Sequence, residues 1–169
     1  MPKRSWRIKA CGKGWYNAGY HLKRSRFRRF RDFCENKKAM VYELRFLQFN
    51  AGRGYAHAQF NLGMCYMYGI GVGKDEAEAV RLFQLAADQG YAPAQYNLGL
   101  LYFQNGMDAE AVRLYQLAAN QGYADAQYGL GWCYANGTGV RKDEAEAVRL
   151  YRLAAEQDHE IAKDCLINL

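Results

Sequence analysis

A chain of 169 residues, half of them hydrophobic, has the length for one compact domain or a short helical array and the apolar material for a core. No run of about 18 apolar residues exists, which excludes a transmembrane helix, and the N-terminus has no apolar stretch leading to a small-residue cleavage site, so no secretory leader is read. The formal charge of +6 is unevenly placed: residues 1–38 carry 13 Lys and Arg against Asp32 and Glu35, a net +11, which leaves the remainder at −5.

The five cysteines, Cys11, Cys34, Cys65, Cys133 and Cys165, are odd in number and form no C-x-x-C pair. Cys65 and Cys133 share one phase of an internal repeat, where Leu101 stands in the middle copy, so the thiols read as small buried hydrophobes. A disulfide framework is not expected, and a reducing, cytoplasmic location follows.

In chain order, residues 1–38 form a basic arm without a clear apolar period. Gly12, Gly14 and Gly19 weaken any helix in its first half. Lys23 to Phe33 (KRSRFRRFRDF) fits a short basic helix with Phe27, Phe30 and Phe33 at spacing three. Three readings stay open for the arm. It binds nucleic acid or anionic lipid through Arg24, Arg26, Arg28, Arg29 and Arg31 interleaved with phenylalanines. It is a solvated tail. Or it is upstream sequence misassigned to this reading frame.

Residues 39–54 change character. Arg45, Gln48, Ala51, Gly54 and Tyr55 match Arg81, Gln84, Ala87, Gly90 and Tyr91, so this stretch reads as a worn second helix of a repeat whose first helix is missing. Three units follow, residues 55–90, 91–122 and 123–158, and residues 159–169 read as a capping helix. KDEAEAVRL occurs at Lys74–Leu82 and again at Lys142–Leu150, with MDAEAVRL at Met107–Leu114 between them.

Within the first unit a helix is expected over Ala56–Tyr68, broken by Gly69, Gly71 and Gly73. Asp75 is the expected N-cap of the second helix, and Glu78 completes a capping-box-like pair. Glu78 and Arg81 are spaced for a surface pair, repeated at Glu110–Arg113 and Glu146–Arg149. Gly90 suits the C′ position. The middle unit is four residues shorter, the loss falling in the turn, which makes Asp108 the expected N-cap there. Gly63, Gly99 and Gly131 read as sites of close approach between paired helices.

The spacing A-x-A-Q-x-x-L-G-x-x-Y is carried by Ala56, Ala58, Gln59, Leu62, Gly63 and Tyr66. It leads to Gly69, Gly71 and Val72, then Ala79, Phe83, Ala86, Ala87 and Gly90. This resembles the Sel-one-like repeat family, relatives of the tetratricopeptide repeats, strongly over residues 55–158 and weakly over 42–54 and 159–169. The resemblance implies an all-α, right-handed α-solenoid of helix-turn-helix repeats. It also implies an adaptor role in signalling, protein quality control or bacterial host interaction. Exported relatives staple paired helices with cysteines eight residues apart, and the absence of that spacing argues against their branch.

The resemblance further implies that first helices line a concave groove. Its positions are His57, Phe60, Met64 and Met67, then Pro93, Tyr96, Leu100 and Phe103, then Asp125, Tyr128, Trp132 and Ala135. Phe60, Tyr96 and Tyr128 form an aromatic ladder with Met64, Leu100 and Trp132 beside it. The competing reading makes these aromatics inter-repeat core. Tyr66, Tyr102 and Tyr134 are expected on the packed side.

Little else suggests chemistry. Gly69–Lys74 (GIGVGK) lacks the Ser or Thr and the preceding strand of a phosphate loop, so it reads as a turn. His21, His57 and His159 have no partners at metal spacing, and no cofactor or metal is expected. The chain therefore reads as a non-catalytic, monomeric adaptor binding a protein or peptide segment. One alternative is nucleic-acid or anionic-membrane association through the arm. The other is a hydrolase of the kind claimed for cysteine-rich relatives, against which the missing cysteine pairs weigh.

Overall fold

The computed structural model describes residues 37–167. The basic arm up to residue 36, with its five candidate arginines, Cys11, Cys34, His21 and the Lys23–Phe33 stretch, lies outside the described residues, as do residues 168–169. Among the described residues all regular structure is helical. The elements are α1 (Lys37–Gly52), α2 (Ala56–Tyr68), α3 (Glu76–Asp88), α4 (Ala92–Gln104), α5 (Asp108–Asn120), α6 (Ala124–Asn136), α7 (Glu144–Ala155) and α8 (Glu160–Ile167). They fall into two compact units that divide between Ala94 and Gln95, near the start of α4.

In the first unit α2 packs on both α1 and α3. Leu47 and Ala51 of α1 meet Ala58, Leu62 and Cys65 of α2 and Leu82 of α3. The stripe that α3 buries is Ala79, Leu82, Phe83, Ala86 and Ala87, at the i, i+3, i+4, i+7 and i+8 spacing of one helix face. The alanines let backbones approach; a Cβ on Gly63 would lie 2.8 Å from the Phe83 ring.

The turn between α2 and α3 is closed by its own hydrogen bonds. Gly69 takes φ +67° at the end of α2. The Asp75 N–H donates to the Tyr66 carbonyl at 3.0 Å, and Asp75 Oδ1 accepts from the Glu78 N–H at 3.0 Å. The expected capping box is only half formed, because the Asp75 N–H is already engaged. The Glu78 carboxylate turns forward instead and takes Arg81 in two bonds of 2.8 and 2.7 Å. The third repeat copies this, with Asp143 capping Glu146 N at 3.0 Å and Glu146 holding Arg149 at 2.7 and 2.6 Å.

In the second unit α6 packs on α5 and α7, and α8 covers α7. The end of this unit is sealed by Tyr128, Ala147, Tyr151, Ala154, Ala162 and Cys165. The shortened turn corrects one expectation: Asp108 is not the N-cap of α5 but its first helical residue, and Met107 occupies the cap without a side-chain bond. With four residues fewer, Asn105–Met107 make the whole turn, and the Met107 N–H is drawn onto the Tyr102 carbonyl at 2.9 Å. Asp75 and Asp143 make the same bond to the Tyr66 and Tyr134 carbonyls, so Met107 takes their phase and the helix starts at Asp108 as the others start at Glu76 and Glu144.

Each second helix ends alike. Gly54, Gly90 and Gly122 take φ of +80° to +88°, and Asp158 stands at the same phase with φ +62°. The next N–H then reaches back five residues: Tyr55 to Asn50, Tyr91 to Ala86, Tyr123 to Ala118 and His159 to Ala154, at 3.1–3.2 Å. This is the bond that satisfies an orphan carbonyl at a helix C-terminus.

Candidate interaction surface

The aromatic ladder is core, which corrects its assignment to a groove. Phe60 is 5% exposed and lies between Phe83 (centroids 5.6 Å) and Tyr91 (5.4 Å). Tyr96 repeats the arrangement with Tyr115 (5.7 Å) and Tyr123 (5.6 Å). Tyr128 does so with Tyr151 (5.7 Å) and, in the tyrosine's place, a stacked His159 (4.7 Å). Each first-helix ring is therefore gripped by the second helix of its own repeat and by the residue that opens the next one. Burial, and secondarily the charge of Asp125, pushes the Tyr96 hydroxyl well above the usual phenol range. Met64 is buried as well, and Phe103 with it.

His159 is held on three sides. Its Nε2 lies 3.3 Å from Asp125 Oδ1, its Nδ1 accepts the Ala162 N–H at 3.2 Å, and its ring stacks on Tyr128. Asp125, expected in the groove, thus serves the last repeat's packing, and Ala135 joins the same cluster.

The glutamine of the A-x-A-Q motif is structural too. Gln59, Gln95 and Gln127 are buried, and their Oε1 atoms accept from Gln89, Gln121 and Gln157 at 2.7, 2.8 and 2.9 Å. Each bond joins a first helix to the C-terminal end of its partner, which fixes the register of the pair.

One accessible stripe on the first helices is rotated by one residue from the expected set, while Tyr66, Met67, Leu101, Tyr102 and Tyr134 are partly exposed off it. On α2 it is His57, Asn61 and Tyr68; the Asn61 amide nitrogen sits 3.1 Å from His57 Nε2. In the second unit it is Asn97, Leu100 and Gln104 on α4 and Gly129, Trp132 and Asn136 on α6. Of the residues expected to bind a peptide, His57, Leu100 and Trp132 lie on this stripe; Phe60, Met64, Tyr96 and Tyr128 lie beneath it. Trp132 is half-buried with its ring edge-to-face on Phe103 at 5.5 Å. A Cβ on neighbouring Gly129 would meet Tyr96 at an ordinary 3.6 Å.

Asn61, Asn97 and Gly129 share one phase that sequence reasoning passed over. The signal was available: it is a polar or minimal residue recurring in an otherwise apolar helix. Among the described residues no cluster of three His, Cys, Asp or Glu is placed to hold a metal ion, and no helix is long and apolar enough to cross a membrane.

Comparison with known proteins agrees with this architecture. The sequence model for the Sel1 repeat matches residues 56–91, 92–123 and 124–159. The structure is similar to the crystal structure of a Sel1 repeat protein from Oxalobacter formigenes (TM-score 0.70, 36% identity, 75% of this chain and 98% of that one). It is also similar to c5321, a protective antigen of uropathogenic Escherichia coli strains with an SLR fold (TM-score 0.67, 43% identity, 71% of this chain and 27% of that one). Comparison with curated proteins finds no match. Three matched repeats, helices that follow their phase, and a relative covered almost end to end lead to one assignment: the chain belongs to the Sel1 repeat family and has its all-α solenoid fold.

Proposed function

We propose that this protein is a non-catalytic adaptor that binds a peptide or protein segment on the accessible stripe of its first helices. The observation that carries the reading is Trp132. A large ring is held edge-on by Phe103 and partly exposed, with Leu100 one turn before Phe103 and the side-chain-free Gly129 one turn before Trp132. Rigid aromatics of this kind are the usual anchors of binding energy. The stripe in the second unit, Asn97, Leu100, Gln104, Gly129, Trp132 and Asn136, carries no formal charge, which suits an uncharged segment with an apolar anchor. In the first unit the corresponding stripe carries His57. Phe60, Tyr96 and Tyr128 back the surface without touching the ligand. The reading takes the protein as a cytoplasmic monomer that needs no cofactor.

The test is selection of peptides from a random library on the full-length protein. Selected peptides are expected to be uncharged, and Trp132→Ala should weaken them by about 2 kcal/mol or more when measured well below the variant's melting temperature. Peptides that bind Trp132→Ala as well as the parent protein would overturn the assignment.

A further inference from the structure

Helix α1 has two apolar faces, and only one is used. Leu47 and Ala51 point into the first unit. At 100° per residue, Tyr42, Phe46 and Phe49 lie together on the opposite side, and they are 72%, 63% and 63% exposed. Val41 and Tyr55 border them, also exposed. Arg53 lies over the rings of Phe49 and Tyr55, at 5.6 and 5.7 Å, and Arg45 is exposed on the same side.

Comparison with the full repeats narrows what covers this face. Phe46 stands at the phase of Leu82, Leu114 and Leu150, each at most 3% exposed. Glu43 and Asn50 stand at the phases of Ala79, Ala111 and Ala147, and of Ala86, Ala118 and Ala154. Those six alanines are at most 1% exposed. A first helix, or a second copy continuing the stack, would need alanine at both positions; a carboxylate and an amide there oppose it. A two-fold pairing of α1 with itself would bring together two chains that each carry a net +11 in residues 1–38. Beyond that segment, Arg45 and Arg53 against Glu43 add +1 within and beside the helix.

Aromatic side chains flanked by arginine on one helix face, next to a strongly basic segment, are what an anionic lipid interface selects. Rings sink to the headgroup level, guanidinium groups meet phosphate, and the apolar and basic signals reinforce each other. We propose that the outward face of α1, Tyr42, Phe46 and Phe49 with Arg45 and Arg53, docks the protein on the surface of an anionic bilayer. This face shares no residue with the stripe on the first helices, so this inference stands apart from peptide binding.

The experiment is co-sedimentation of the full-length protein with phosphatidylcholine vesicles, with and without phosphatidylglycerol, at low and high salt. The expected result is binding only to the anionic vesicles, weakened by salt, and reduced by about tenfold or more in the Phe46→Ser/Phe49→Ser double variant at unchanged melting temperature. If that variant melts early, Tyr42→Glu places a charge on the same face and must weaken binding likewise. Undiminished vesicle binding by these folded variants would overturn the proposal. So would preference for a nucleic-acid duplex over vesicles, or a dimer in sedimentation velocity that the double substitution dissolves.

Discussion

A Cβ built on Gly99 would lie 2.7 Å from Cε1 of Tyr115 and 3.3 Å from the Ala111 carbonyl oxygen. Gly63 and Phe83 stand in the same relation at 2.8 Å, and Gly131 and Tyr151 at 2.9 Å. In each repeat the aromatic of the second helix lies where the first helix has no side chain.

This relation predicts coupling between the two positions. Glycine to alanine inside a helix gains about 1 kcal/mol of propensity, whereas overpacking costs about 1–3 kcal/mol. Overlap with a ring backed by buried neighbours wins, so Gly99→Ala should lower stability by about 1 kcal/mol. In a Tyr115→Leu background the ring overlap is gone and only the 3.3 Å contact with the Ala111 carbonyl remains, so the same substitution should cost less or become stabilising. Denaturant midpoints of the four proteins in this cycle measure the coupling. Additive effects would show that the ring swings aside freely.

The aromatic ladder gives the second prediction. Tyr96→Ala and Tyr128→Ala should each cost about 3–5 kcal/mol, as core truncations do. Tyr102 and Tyr134 are only half-buried, so their alanine variants should cost less. Thermal melts of Tyr96→Ala and Tyr102→Ala rank the two directly, and an equal or smaller loss for Tyr96→Ala would restore it to the surface.

The same positions show where the sequence stopped informing. Helix spans and turn glycines were legible, because phase recurred three times and each capping aspartate sat before its acidic turn. Which face of a first helix meets solvent was not. A helix flanked by neighbours is apolar on most sides, so Phe60 and Met64 gave no contrast with Leu62 and Tyr66. Contrast lay in Asn61, Asn97 and Gly129, one residue round. Two capping details also needed coordinates. The Glu78 carboxylate goes to Arg81 because the Asp75 N–H is taken, and Met107 caps α5 because it stands at the phase of Asp75 and Asp143 and makes their bond, here to the Tyr102 carbonyl.

The thiols supply a third prediction. Cys65, Cys133 and Cys165 are buried thiols, and burial, helped by Asp108, pushes the Cys133 thiol up to about 12. Its thiolate fraction at mildly alkaline pH is then roughly a thousandfold below that of an exposed cysteine. In a Cys11→Ser/Cys34→Ser background, a disulfide reagent should find no rapidly reacting thiol in the native protein and three after denaturation. The sign for stability follows. The unfolded thiol ionises first, so the native state is favoured fully below about pH 9 and loses that advantage as pH rises toward 12. Fast labelling of Cys133 in the folded protein would mean that α6 opens far more readily than its packing implies.

Asp158 carries the last prediction. It is the one non-glycine with positive φ among the described residues, at +62°, where Gly54, Gly90 and Gly122 serve the other repeats. A side chain in this left-handed region costs roughly 1–2 kcal/mol, somewhat less for aspartate. Glycine removes that strain but gains freedom in the unfolded chain, which returns about 0.4–1 kcal/mol of the benefit. Asp158 also holds Lys163 at 2.8 Å, but the pair is exposed, and Lys163 keeps Glu160 at 3.1 Å. Asp158→Gly should therefore stabilise by about 0.5 kcal/mol. Asp158→Ala, which loses the ion pair and keeps the strain, should destabilise. The difference between the two variants, about 1 kcal/mol or more, is the decisive quantity, read as a gap between their melting temperatures. Equal melting of the two would show that the chain leaves α7 by another route, and that the His159 N–H to Ala154 carbonyl bond does not hold the last turn as it holds the others.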